Sequence, residues 1–321
     1  MSTVASESAT SRPASAAKTP KVSKQKKDIY WPWMIPGLVA FVAVVVVPFF
    51  WNIYLSFTKW NGLGTPKWIG FDNYVQLVGD SIFWQSFLHS IVFILSMAII
   101  PTGLGLIIAS ALFDYVAPRY GNRMSTVMRA GFFLPQIIPI AIAGLLWTWM
   151  LSSQYGIINV TLVELGIVDS TNDAPNWLGN AWLAMLSVNV VLIWIQLGYT
   201  IVVFMSGLAR ADQSVHEAAA IDGATWFQRF RMITINQLAP EISVVLLTTT
   251  VAALKVFAPV YVMTQGGPGS ATNVPAYFSY FNFIQTSKVG YGAAISTVLA
   301  LLLIVMAIFL LRMQTKSQGD K

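Results

Sequence analysis

Two groups of residues in this sequence have types and spacings suited to recognition chemistry. The first lies between Ser214 and Pro240, where Glu217, Ala218, Ala219, Asp222, Gly223 and Arg229 set small and charged side chains close together. Ser214 and Glu217 have capping-box spacing, the alanines favour helix, Gly223 is a natural helix stop, and Thr225 with Gln228 repeats the capping-box spacing. The stretch therefore predicts helix, glycine corner, helix. Its chemistry is that of docking: an alanine face admits a partner closely, while Glu217 and the basic pair Arg229 and Arg231 orient it. Pro240 follows as the start of an apolar run, so the short helices are expected to be continuous with that run and able to tilt it. On these residues alone an ordinary interfacial loop fits equally well. A DNA-binding helix-turn-helix fits poorly, because membrane-length apolar runs flank the stretch.

The second group is polar and aromatic within apolar runs. Asn189, Gln196, Tyr199 and Thr200 recur at helical spacing and share one face. Amides and hydroxyls of this kind hydrogen-bond sugar hydroxyls, and aromatic rings stack on sugar faces. Hydrogen bonding between neighbouring helices uses the same residues equally well. Lys255 is the clear ionisable residue inside a run, and such residues are functional candidates in a membrane. Helical spacing places it on a face with Thr248, Ala252, Ala258 and Val262. A lysine snorkelling outward is the competing explanation. Phe257, Tyr261, Tyr280 and Asn282 are weaker candidates. Pro135 and Pro139 are expected to break or kink the apolar run that holds them.

Bond-making chemistry has little to work with. There is no cysteine, and His89 and His216 stand far apart, so neither a thiol nucleophile nor a metal cluster is expected. No Gly-Lys dipeptide occurs, so a P-loop of the usual pattern is absent. No catalytic residue, metal or cofactor is expected.

The elements that must position these groups follow from composition. Of 321 residues, 56% are hydrophobic and 10% charged, well below the ~25% charge of soluble domains. Such a chain suits lipid as its solvent. Apolar runs near membrane-spanning length occur at 31–54, 86–113, 125–150, 181–207, 240–263 and 291–311, which predicts an all-α polytopic membrane protein of about six transmembrane helices. Residues 1–30 read as a disordered cytoplasmic tail and 31–85 as a first span with an outer loop. Residues 86–311 form the core, with the docking loop at 208–240, and 312–321 form a second cytoplasmic tail.

Basic residues fix the expected orientation. They gather in the N-terminal tail (Arg12 and Lys18 to Lys27), between the second and third runs (Arg119, Arg123, Arg129), between the fourth and fifth (Arg210, Arg229, Arg231) and at the C-terminus (Arg312, Lys316, Lys321). The opposite loops hold Lys59, Lys67 and Lys288. By the positive-inside rule both termini are cytoplasmic, and the net charge of +6 is a topology signal rather than a nucleic-acid footprint.

Glu217, Ala218, Ala219, Gly223, Ile233, Leu238 and Pro240 resemble, in order and spacing, the EAA motif of ABC importer permeases. Asn236 departs from it, standing where sugar-importer permeases usually carry proline. Lys255 to Pro268, with Lys-Val-Phe, Tyr-Val-Met-Thr and Gly-Gly-Pro, resembles the carbohydrate-type permeases, with Ala258 replacing their usual aspartate. Gly290 to Ala294, Gly70 to Tyr74 and Phe83 to Ser90 resemble the same group, so the likeness covers about 70–311. It implies a type I ABC importer transmembrane domain whose EAA loop is gripped by an ATPase. It implies as partners a second homologous permease subunit, two cytoplasmic ATP-binding subunits and an extracytoplasmic solute-binding protein. The implied cargo is a sugar, a di- or oligosaccharide, with ATP hydrolysed elsewhere. Glycerol phosphate import by the same architecture is one alternative. An ion-coupled secondary carrier is another, although no carboxylate lies deep within a run.

Overall fold

The computed structural model describes residues 31–319; the tail expected at 1–30 otherwise lies outside the described residues. The chain divides between Pro48 and Phe49. The described part of the first unit is apolar helix with Trp33, Val44 and Val47 exposed, a surface suited to lipid.

The elements in chain order are α1 (Trp33–Ser56), a short β1–β2 ladder (Thr58–Lys59 and Lys67–Trp68) and α2 (Asp72–Val78). Next come α3 (Ser81–Ile137), α4 (Ile140–Met150), α5 (Ile157–Glu164) and α6 (Ala181–Leu208). The docking stretch forms α7 (Gln213–Ile221) and α8 (Trp226–Gln237). They are followed by α9 (Ala239–Leu254), α10 (Ala258–Met263), α11 (Pro275–Tyr280) and α12 (Val289–Gly319).

Among the described residues four helices are long and apolar enough to cross a membrane, or five if the bent pair α8 and α9 counts as one. The difference from six apolar runs has a local cause. The second and third runs join in α3, which bends at Gly121 (φ 82°, ψ 161°), a conformation open to glycine and strained for other residues. The third run then breaks at Ile138 and Pro139, leaving α4 only 11 residues long. Pro139 was expected to interrupt this run, and its missing N–H and the restricted residue before it account for the stop.

Prolines also shape the long helices without ending them. The π-helical turns Val42–Val46, Leu95–Ile99 and Leu112–Val116 each contain the residue four before a proline, namely Pro48, Pro101 and Pro118. A proline ring clashes with that carbonyl in a regular α-helix, and widening the turn relieves the clash.

The core sits where α3, α4, α6, α9, α10 and α11 meet, around Phe93, Met97, Ala143, Val188, Val191, Leu192, Ala253, Val260 and Tyr277. Small residues set the closest approach: a Cβ on Gly105 of α3 would collide with the Thr200 side chain of α6. In the second unit, Asn52 Nδ2 donates to Thr297 Oγ1 (3.0 Å), Ser296 Oγ (3.1 Å) and the Ala293 carbonyl (3.3 Å), fastening the end of α1 to α12. Such amide bonds hold helices together where apolar packing gives no preference over lipid.

Candidate coupling element and translocation path

The stretch from Asp212 to Gln237 forms a helix, a corner and a second helix. α7 starts earlier than its sequence suggests. Asp212 is the N-cap, and its Oδ1 accepts from the Ser214 backbone N–H (2.9 Å) and hydroxyl (2.7 Å). These bonds hold the Asp212 carboxyl below the usual carboxylate range. The expected capping box between Ser214 and Glu217 is therefore not the start signal, because a carboxylate two residues upstream captures the same N-terminal donors. At the other end Gly223 takes φ +80°, its N–H donates to the Ala220 carbonyl (3.1 Å), and the Ala224 N–H reaches back to Ala219 (2.9 Å). That is a Schellman closure, which requires a left-handed residue. Thr225 then caps α8 through a reciprocal capping box with Gln228.

The element is tied to the bundle on its inner side and open on its outer side. Trp226 Nε1 donates to Asp114 Oδ2 in α3 (3.0 Å), and its ring stacks on Phe230 (centroids 5.2 Å apart). His216 Nε2 meets Gln237 Oε1 (3.0 Å), and Arg210 pairs with Glu241 (2.8 Å). Glu217, Ala218, Asp222 and Gly223 are exposed, as are Val215 and Ile221, while Ala219 and Arg229 are half-buried. The second helix is not a straight extension of the fifth run: α8 meets α9 at a 71° bend across Leu238, with Pro240 in the first turn of α9.

The fifth run is itself broken. α9 stops at Leu254, Lys255 caps it, Phe257 leaves helical geometry (φ −138°, ψ −57°), and α10 begins at Ala258. Pro259 causes the break: its ring would clash with the Lys255 carbonyl four residues earlier, whereas in the first turn of α10 its missing N–H is tolerated. The expected single face of Thr248, Ala252, Lys255, Ala258 and Val262 is thus divided between two helices. Lys255 is exposed at the break, and no ion pair involves it among the described residues.

Beside the break four aromatic rings converge. Phe257 stacks on Tyr261 (5.4 Å) and meets Tyr280 edge-on (5.2 Å). Tyr261 meets Tyr280 at 5.4 Å, and Tyr277 lies 6.3 Å from both Phe257 and Tyr280. Tyr277 was not among the sequence candidates; Pro275, which opens its helix in the manner of a first-turn proline, was the available signal. Polypeptide hydroxyls and ring faces gathered at a helix break can hydrogen-bond and stack on a polar, ring-shaped solute.

The α6 residues lie on one unbroken helix, largely buried among its neighbours. Thr200 is fully buried and its hydroxyl donates to the Pro101 carbonyl of α3 (3.0 Å), which is helix packing. Asn189 is buried, donating to Met185 O (2.7 Å) and leaving its Oδ1 without a partner. Gln196 is buried, and Tyr199 shares a 3.3 Å hydroxyl contact with Thr248 of α9, away from the aromatic cluster.

Apolar spans, a kinked bundle and an exposed helix–corner–helix element together define a multi-pass membrane protein. The chain belongs to the family of binding-protein-dependent transport system inner membrane components, matched over residues 102–317. It is 32% identical over 298 residues to the probable ABC transporter permease protein YurN of Bacillus subtilis (92% of this chain, 99% of that protein). It is 30% identical to the sulfoquinovosyl glycerol transport system permease protein SmoG of Agrobacterium fabrum (88% and 89% covered). To the trehalose/maltose transport system permease protein MalF of Thermococcus litoralis the identity is 28% (92% and 96% covered). The fold matches a crystal structure of a bacterial ABC transporter involved in the import of the acidic polysaccharide alginate, with TM-score 0.75 at 20% identity, covering 89% of this chain and 94% of that one.

Proposed function

We propose that this chain is the transmembrane permease subunit of an ATP-driven sugar importer, with a di- or oligosaccharide as cargo. Relatives named for trehalose/maltose, alpha-glucoside and lactose transport support the sugar class. A phosphate ester is a poorer fit, because Lys255 is the lone cation of the broken span.

The observation that carries the reading is α7, the Gly223 corner and α8, exposed outward and anchored inward. In this reading Glu217, Ala218, Ala219, Asp222 and Gly223 sit in a cleft of a cytoplasmic ATPase subunit, and Arg229 orients the contact. ATP-driven closure pushes the element, and the Trp226 bond to Asp114 and the bend at Leu238 pass that movement to α3 and α9. The working unit has two permease subunits, two ATPases and an external solute-binding protein. Both termini face the cytoplasm. The sugar passes the break between α9 and α10, stacking on Phe257 and Tyr261, with Tyr280 and Lys255 beside it. Gln196, Tyr199, Asn189 and Thr200 shape and brace the α6 wall. The permease supplies a path with two states and no bond chemistry.

Reconstitution with the ATPase and binding-protein subunits tests this. Sugar-loaded binding protein should stimulate ATP hydrolysis and uptake together. Uptake driven by an ion gradient without nucleotide would refute it.

A further inference from the structure

A cavity of about 720 Å³ opens between the elbow of α3 and the inner side of α7 and α8. Arg129 of α3 and Arg229 of α8 both line it, with Asn122, Ser125 and Thr126. Neither guanidinium is ion-paired among the described residues. Arg229 Nε is buried without an acceptor, and His216 Nδ1, also on the cavity wall, is buried without a partner. Two carboxylates share the wall without pairing directly with either arginine. Asp114 accepts from Trp226, and Glu217 makes no ion pair with either arginine.

Burying a charged donor without an acceptor is unfavourable, so a cavity holding the orphaned Arg229 Nε, with the half-buried Arg129 on the same wall, favours an anionic ligand. The planar fork of arginine matches the oxygens of a phosphate better than a point charge does. The hydroxyls of Ser125 and Thr126 and the Asn122 amide add neutral donors. Tyr120, Met124 and Val127 are exposed along the same elbow, which suits contact with acyl chains. Basic pockets between spans at a cytoplasmic face commonly hold lipid headgroups.

We propose that this cavity binds a phosphate group between Arg129 and Arg229, bridging the α3 elbow to the coupling element. The group comes from an anionic phospholipid headgroup or from free phosphate. The proposal rests on the importer reading only in placing the cavity at the cytoplasmic face.

The test uses the transporter purified with its ATPase and partner permease subunits. Native mass spectrometry reads retained phosphatidylglycerol, and a melting curve with inorganic phosphate reads the soluble source. Arg129→Gln should lower retained lipid, or weaken the phosphate-induced shift, by about tenfold in apparent affinity, and Arg129→Lys should recover part of it. Loss in the lipid arm assigns the headgroup, and loss in the phosphate arm assigns the free ion. Should Arg129→Gln fail to assemble, the wild-type protein against Arg129→Lys still reads the preference for a forked donor. Equal lipid retention and equal phosphate response in wild type and variants overturns the proposal. Sugar-stimulated ATPase activity of the wild type, measured in parallel, reports separately on the importer reading.

Discussion

Trp226 and Asp114 lie 112 residues apart in sequence, yet the indole N–H of one donates to the carboxylate of the other at 3.0 Å. This bond joins the second helix of the candidate coupling element to the elbow of α3. Ring contacts with Tyr115 (6.2 Å) and Phe230 (5.2 Å) hold the indole in place. In the proposed coupling, a movement of α8 reaches α3 through this bond as well as α9.

Trp226→Phe keeps the ring contacts and removes the hydrogen bond. A bond to a carboxylate contributes roughly 1.5 kcal/mol at a half-exposed site. Sugar transported per ATP should fall severalfold while membrane level and ATPase association stay normal. Asp114→Ala combined with Trp226→Phe should be no worse than either change alone, as expected for one shared interaction. Fully additive losses would show that the two residues act independently.

Gly223→Ala isolates the corner. Nothing lies within 4 Å of a Cβ at this position, so the substitution meets open space and only the left-handed backbone resists it. The penalty is about 1–2 kcal/mol. ATP hydrolysis should become less responsive to sugar-loaded binding protein, and Gly223→Asp should go further. Glu217→Lys should likewise separate hydrolysis from uptake by reversing an orienting charge. Normal uptake in all three would remove the coupling role from this element.

Phe257→Ala should raise the half-saturation sugar concentration about tenfold, the scale of one lost aromatic stack. Tyr261→Phe should have a smaller effect, because the ring survives without its hydroxyl. Uptake kinetics in vesicles decide this, with ATPase association as the control. Unchanged kinetics in Phe257→Ala would move the path elsewhere.

Asp212 gives a pH signature. Its carboxyl is held below the usual range when α7 is formed, so its capping contribution is present above the ordinary aspartate pKa and is lost as pH falls through the lowered value. Hydrogen exchange across 213–221 should be faster in Asp212→Ala than in wild type at neutral pH. The difference should close as the medium turns strongly acidic. A difference that persists there would assign the cap to something other than the ionised carboxylate.

The Arg210–Glu241 pair should matter little by comparison. The arginine side chain is 70% exposed, and exposed pairs contribute about 0–1 kcal/mol. Arg210→Ala should leave the melting temperature nearly unchanged.

Legibility followed sequence distance. The Gly223 corner and the Thr225–Gln228 box are closed by bonds between near neighbours, so residue type and spacing reveal them. The helix start was misread because Ser214 and Glu217 fit a capping pattern that Asp212 pre-empts with a stronger acceptor. The break after Leu254 was available from Pro259, whose ring acts on the carbonyl of Lys255. The shared face assigned to Ala258 and Val262 assumed an unbroken helix and did not survive it. Tyr277 joining Phe257, Thr200 docking on Pro101 and Trp226 reaching Asp114 all depend on how separate helices pack. No local pattern encodes those meetings.

The chain contains no cysteine, so a single Ile221→Cys substitution places one thiol on the exposed end of α7. The decisive measurement is its reactivity in intact cells and its crosslinking in the purified transporter. The importer account predicts protection from a membrane-impermeant maleimide applied outside, together with a crosslink to the ATPase subunit that changes with nucleotide. Labelling from outside in unbroken cells, with no crosslink to the ATPase, would contradict it.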